Sequence, residues 1–270
     1  MKKYLVIGNP IEHSLSPKLH NYWIKNNNIN ATYEKQKLNE NEIEGIILKV
    51  KKKILNGINV TVPFKKAVIP YLDQLTLEAE STQSVNTIYL DNNKVVGHNT
   101  DISGFELGIK DSKFEATGKK ILILGAGGVV PSIIFALNKM KVSKITISNR
   151  TKDRAESLKI FFKNIKIADW GEIPEFDMII NATSVGLNKY DQIDLNLSKV
   201  GKNKFFYDII YNPKETNFLK TGKKLGNETE NGKLMFIYQA FTAFKVWHGI
   251  EPEINNEVIK LLDRWLELEF

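Results

Sequence analysis

Three short stretches crowd polar side chains of the kind that bind and protonate a small oxygen-rich molecule. The stretch GNPIEHSLSPKLHN carries Ser14 and Ser16, whose hydroxyls could both donate to one carboxylate. NVTVPFK places Asn59, Thr61 and Lys65 at and beyond the end of an apolar run. SVNT and GHNTD then add Asn86, Thr87, Asn99 and Asp101. Together they make a pocket with one ammonium, one carboxylate and many hydroxyls and amides, and no metal-binding cluster. An ammonium beside a carboxylate can stabilise a developing oxyanion and deliver its proton, which is general acid–base chemistry. Each residue also has a plainer reading: Ser16 as a helix N-cap, Lys65 as a solvated lysine, the others as ordinary loop residues.

A second kind of chemistry is written in ILILGAGGVVPSIIFAL, where an apolar strand, a glycine turn and a helical run follow in order. Amide N–H groups at such a helix start, aided by the positive end of the dipole, can cradle a pyrophosphate. Gly125 and Gly127 fill the first two places of G-x-G-x-x-G, while Val130 holds the third. Nicotinamide sites that prefer NAD place an acid at the end of the next strand. Here that place reads Ser148-Asn149-Arg150-Thr151-Lys152-Asp153-Arg154, with no carboxylate at the strand end. Arg150, Lys152 and Arg154 could clamp a 2′-phosphate; a solvated basic loop is the alternative.

The elements that must position these groups alternate strand and helix. Strand signals fall at Tyr4–Gly8, Ala31–Leu38, Gly57–Val62, Ile121–Leu124, Lys144–Ser148, Met178–Ile180 and Phe205–Ile210. Helical spacing is expected over Asn39–Ile54, Phe64–Leu72, Ser103–Lys110, Ser132–Met140, Thr151–Phe162, Leu234–His248 and Glu257–Leu268, with another helix opened by Ser16-Pro17. Val85–Leu90 and Lys94–Val96 flank Asp91-Asn92-Asn93, a hairpin turn. The reading is an α/β protein: a first unit with a mixed sheet, then a Rossmann-like unit of right-handed βαβ repeats. The pattern changes between residues 101 and 118.

Composition narrows the classes further. The chain has 270 residues, no cysteine, 42% hydrophobic residues and a net charge of +7. Absence of cysteine excludes a disulfide framework and a thiolate metal site. No apolar run reaches the roughly 18 residues of a spanning helix, so a cytoplasmic protein without membrane contact is expected. The excess of lysine reads as a solvated surface. The run Lys49 to Lys53 closes an amphipathic helix and has no interleaved aromatics to stack on bases, so no nucleic-acid partner is expected.

The chain resembles the shikimate dehydrogenase family. The stretches already quoted, with NRT, NATSVG, YDIIYNPKETNFL and NGKLMFIYQAFTAFKVWHG, run in the family's order from Gly8 to Pro252. NVTVPFK, NTD and the helix bearing Gln239 carry the resemblance; GAGG alone is common to many folds. The resemblance implies two α/β domains facing across a cleft: residues 1–102 with 236–270 for substrate and catalysis, and 103–235 for NADP. It implies reversible reduction of 3-dehydroshikimate to shikimate by NADPH, in aromatic amino-acid biosynthesis. Lys65 and Asp101 would be the catalytic pair. Ser14 and Ser16 would hold the substrate carboxylate, and Thr61, Asn86, Tyr211 and Gln239 the remaining oxygens. The cofactor would lie on Gly125, Ala126, Gly127, Gly128 and Val129, with Asn149, Arg150, Thr151 and Arg154 about the adenosine phosphate. Thr183, Ile209 and Gly232 would line the nicotinamide side. Val129-Val130-Pro131 departs from the family's usual small residues and arginine. His98 stands at a variable position and has no assigned role; His13 and His20 read as structural. A monomer or homodimer is expected. Other readings are a quinate/shikimate dehydrogenase with broader substrate and NAD use, a non-catalytic dinucleotide sensor, and a nucleic-acid binder.

Overall fold

A computed structural model describes residues 1–268, which divide into two compact units: Met1–Asp101 with the chain from Ile237 onward, and Ile102–Phe236. The first unit opens with β1 (Lys2–Gly8), α1 (Ser16–Asn26), β2 (Ala31–Lys37), α2 (Ile43–Lys51) and β3 (Gly57–Val60). It continues with β4 (Gln74–Leu75), α3 (Leu77–Thr82), β5 (Thr87–Asp91) and β6 (Lys94–His98). The sheet order is β2-β1-β3-β5-β6-β4. β1 pairs parallel with β2 and β3, whereas β5 runs antiparallel to both β3 and β6. The sheet is therefore mixed. The hairpin closes through Asn92 and Asn93, both at positive φ (46° and 62°), the pair a type I′ turn requires.

One face of this sheet packs Leu5, Ile7, Ile58 and Val60 against Ile43, Ile46, Ile47 and Val50 of α2, the stripe expected from their spacing. The other face is aromatic. Tyr4, His20, Trp23, Tyr33, Phe244, Trp247 and His248 meet in one cluster, with the His20 ring stacked on Tyr33 at 4.2 Å and 1°. Gly57 is required there, because a Cβ would lie 2.3 Å from Trp247 Nε1.

The second unit is entered along α4 (Asp101–Asp111). It contains β7 (Lys120–Leu124), α5 (Val130–Lys139), β8 (Lys144–Ser148), α6 (Lys152–Ser157), β9 (Lys166–Ala168) and β10 (Met178–Asn181). After these come β11 (Phe205–Asp208), α7 (Asn217–Lys224) and β12 (Glu228–Glu230). The helix α8 (Lys233–His248) leads back into the first unit, whose last helix is α9 (Asn256–Leu268). All pairings are parallel in the order β12-β11-β10-β7-β8-β9. Alternation along β7 explains the layers. Ile121 and Ile123 face Ile133, Ile134 and Leu137 of α5, while Leu122 and Leu124 face Phe218 and Leu219 on the α7 side. This is the doubly wound α/β arrangement, and its strand order reverses between β7 and β10, where such sheets bind ligands.

Four local expectations are corrected. Phe64–Leu72 is a series of turns with a 3₁₀ turn at Ile69–Tyr71; most of its hydrogen bonds span three residues, and Pro70 disfavours a helical residue before it. The α2 helix is shorter than Asn39–Ile54. It follows a 3₁₀ turn with an Asn39–Glu42 capping box and ends at Lys51, two residues before Lys53 turns the chain with φ 59°. The Thr151–Phe162 helix tightens after Ser157 into a 3₁₀ turn as Leu158 and Phe162 tuck into the core. Ser16 is the first helical residue rather than the N-cap, which is Leu15. Among the described residues, no helix is long and apolar enough to cross a membrane.

Candidate active site

In the first unit the polar residues gather at the carboxyl ends of the strands. Thr61 directly follows β3 and is fixed by its N–H donating to Ile7 O at 2.9 Å. Its hydroxyl has no hydrogen-bond partner among the described residues. The turns beyond Pro63 bring Lys65 back, and its carbonyl accepts from Val85 N–H at 2.8 Å. Asp101 begins α4, with its N–H donating to Asn99 Oδ1 at 3.1 Å. These two routes put Lys65 Nζ 2.5 Å from Asp101 Oδ2, with side chains 18% and 9% exposed. The pair is shielded yet open to a ligand.

Asn86 holds the other side of the carboxylate. Its Nδ2 donates to Asp101 Oδ1 at 2.9 Å and to Thr100 Oγ1 at 3.0 Å. Its Oδ1 accepts from Thr100 N–H at 2.7 Å and from Thr87 Oγ1 at 3.0 Å. These bonds let the amide orient Asp101. Asn59, one layer deeper, accepts from the Tyr33 hydroxyl at 2.6 Å and donates to Thr87 Oγ1 at 3.0 Å. Ser16 hydrogen-bonds the same tyrosine, whose burial pushes its own ionisation well up. Ser14 Oγ accepts from Ser16 N–H at 3.4 Å, so the two serines sit on one turn at the start of α1. Gln239 lies partly buried on α8, in the same unit.

Tyr211 belongs to the second unit, where its ring packs 4.9 Å from Phe236. In that unit the glycine turn leaves β7 with Gly125 at φ 107°, its N–H donating to Ser148 O at 2.8 Å. A Cβ on Gly125 would meet Ala182 O, at the end of β10, at 2.8 Å. Gly127 and Gly128 differ: a Cβ there meets no protein atom closer than 3.9 Å. Their bareness leaves room for a ligand rather than for the protein, as a phosphate cradle needs. Val130, in the third glycine's place, is fully buried among Ile102, Ile133 and Ile134.

Beyond β8, Asn149 Nδ2 donates to Thr151 O at 2.7 Å, which shapes the basic loop. Lys152 pairs with Asp169 at 2.5 Å, both side chains being exposed. Arg150 and Arg154 are exposed, without an ion-pair partner among the described residues. The residues present therefore suit a dinucleotide with an added phosphate. Thr183 donates through both N–H (3.1 Å) and Oγ1 (2.7 Å) to Asn181 Oδ1. Ile209 and Gly232 approach closely: a Cβ on Gly232 would sit 2.0 Å from Ile209 O.

Sequence reasoning passed over the Asn181–Asp208 pair. Asp208 is wholly buried opposite Asn181 in the β10–β11 register, and burial pushes its carboxyl up to about 6. The signal was available as a single acid inside the apolar run FFYDII.

Comparison with known proteins bears on the whole chain. Residues 6–88 match the family described as shikimate dehydrogenase substrate binding domain, and residues 109–216 match shikimate / quinate 5-dehydrogenase. A curated protein of Pelagibacter ubique, named shikimate dehydrogenase (NADP(+)), is 59% identical over 97% of this chain and 99% of its own. The crystal structure of shikimate dehydrogenase from Aquifex aeolicus is 37% identical with a TM-score of 0.90, covering 98% of each chain. That from Thermus thermophilus, in complex with NADP(H) and shikimate, is 28% identical with a TM-score of 0.89, covering 98% of this chain and 100% of its own.

Proposed function

Because the chain belongs to the shikimate dehydrogenase family, we propose that it reversibly reduces 3-dehydroshikimate to shikimate with NADPH. It is an NADP-dependent oxidoreductase. Supporting the reading are the 59% identical relative, whose name carries shikimate and NADP(+), and the solved relative that holds both NADP(H) and shikimate. The quinate/shikimate alternative with NAD use is not favoured, since no carboxylate ends β8 to receive a ribose 2′-hydroxyl.

The reading rests on one observation above others, the shielded ammonium–carboxylate pair at 2.5 Å. NADPH supplies the hydride when bound. As negative charge grows on the substrate oxygen, Lys65 stabilises it and delivers the proton, and Asp101 orients both the ammonium and a substrate hydroxyl. Asn86 acts mainly by fixing Asp101 and shares its amide with the substrate. Ser14 and Ser16 donate to the carboxylate; Thr61, Tyr211 and Gln239 take the other oxygens. Gly125 to Val129 receive the pyrophosphate, with Asn149, Arg150, Thr151 and Arg154 at the adenosine phosphate. Thr183, Ile209 and Gly232 bound the nicotinamide. The first unit thus serves substrate and the second cofactor, Tyr211 excepted.

The test follows nicotinamide absorbance with shikimate or quinate against NADP+ or NAD+. Turnover is expected with shikimate and NADP+ far above the other three combinations. Equal turnover of quinate would give the broader enzyme, and no turnover in any arm would end the enzymatic reading.

A further inference from the structure

Asp208 makes no ion pair among the described residues, although it is 0% exposed. A buried carboxylate without a cation is costly unless its lone pairs are filled. Here they are filled by groups from three different segments. Oδ1 accepts from Ile210 N–H at 3.0 Å, in the loop after β11. Oδ2 accepts from Thr216 Oγ1 at 2.7 Å, at the start of α7. Asn181 Nδ2, at the end of β10, lies 3.1 Å from both oxygens. That amide also donates to Val185 O at 3.0 Å, while its Oδ1 accepts both donors of Thr183. One carboxylate therefore sets the shape of two loops, the one carrying Thr183 and the one carrying Ile209 and Tyr211.

From this we propose that Asp208 is a positioning residue for the nicotinamide side of the cofactor site, acting through Asn181 and Ile210; the proposal rests on the function inferred above. Everything that faces the carboxylate is a donor, so a neutral amide would not replace it. In Asp208→Asn the new NH2 group must meet either the Ile210 N–H or the Thr216 hydroxyl. The hydroxyl, which accepts from Leu219 N–H at 3.3 Å, could take the NH2 on its second lone pair, but its own hydrogen would then lose the Oδ2 acceptor. One donor is left unmet, and the loops shift. The adenosine side, on the loop after β8, makes none of these bonds.

The test compares wild type with Asp208→Asn in four readouts: kcat, KM for shikimate, affinity for adenosine 2′,5′-bisphosphate, and the isotope effect with cofactor deuterated at the transferred position. A misplacement of the reacting ring predicts kcat lowered about 10- to 100-fold, with a larger isotope effect. Bisphosphate affinity and shikimate KM should stay within about 2-fold, as expected for an interaction that matters mainly in the transition state. Unchanged kcat, or loss of bisphosphate binding in step with kcat, overturns the proposal. If Asp208→Asn does not fold, Thr216→Val and Thr216→Ser decide: Val must lower kcat with bisphosphate binding intact and Ser must restore it, and equal kcat in the two refutes the role. A wild type that turns over no shikimate with NADP+ refutes the functional reading itself, and this proposal with it. Active wild type with indifferent variants refutes only the proposal.

Discussion

Replacing Lys65 by methionine removes the ammonium and keeps most of the stem. Two effects follow, and their sizes differ. Asp101 loses the charge 2.5 Å from its Oδ2 and keeps one side-chain donor, Asn86 Nδ2 at 2.9 Å. Breaking a fully buried pair costs about 3–5 kcal/mol. The side chains here are 18% and 9% exposed, so solvent takes up part of the loss and about 1–3 kcal/mol of folding stability is expected. The chemical effect is larger. A positioned general acid is worth ~10²–10⁴-fold in rate, or about 3–5 kcal/mol of barrier. Steady-state oxidation of shikimate by NADP+ should therefore show kcat reduced by that factor, with a much smaller change in KM, because the proton moves only in the transition state. A urea midpoint for the same preparation separates the two effects. A folded Lys65→Met enzyme with kcat within about 3-fold of wild type would refute the catalytic role and leave Lys65 as a structural partner of Asp101.

Other outcomes follow from single contacts. Arg150→Ala should raise KM for NADPH about 10-fold, the worth of one charge-assisted hydrogen bond, and leave KM for NADH unchanged; equal losses in initial-rate measurements would remove Arg150 from the 2′-phosphate. His20 is fully buried with neither ring nitrogen hydrogen-bonded, and desolvation, helped by nearby His248, lowers its pKa from 6.5 to about 3. A lowered histidine pKa makes the unfolded chain bind more protons, so this stability is present above pH 6.5 and is lost as pH falls toward 3. At 1.36 kcal/mol per unit, the loss between pH 7 and pH 4 is about 3 kcal/mol. Urea unfolding at the two pH values should show that difference shrinking by the same amount in His20→Leu, and an identical pH dependence in the variant would exclude His20 as its source.

What was legible in the sequence was whatever rests on neighbours along the chain. Ile121 to Leu124 announced a strand buried on both faces, and the following glycines announced a turn that could take phosphate; both reflect local spacing and backbone freedom. Ser148 to Arg154 showed a strand end without an acid. What escaped depends on partners far apart in sequence. Lys152 read as one of three cations for a phosphate, and only the fold shows it also set against Asp169, 17 residues on. Phe64–Leu72 has helical periodicity, yet its hydrogen bonds are decided by Pro70 and by the pairing of Val85 N–H with the Lys65 carbonyl. Asn86 read as a ligand for substrate, and only the fold shows that its amide also donates to Thr100 and Asp101.

Asp208 is the clearest instance, because its partner Asn181 lies 27 residues away and only parallel register sets them opposite each other. The same physics links the legible and the hidden parts of the site. Strands of an α/β sheet end in polar side chains, and there each needs a partner once it is shielded from water. Where the partner is protein, as for Asn59, Asn181 and Asp208, the group fixes a loop. Where no described protein group meets it, as for the Thr61 hydroxyl, the group is free for the proposed substrate, and the open space beside Gly127 and Gly128 is free for the proposed cofactor.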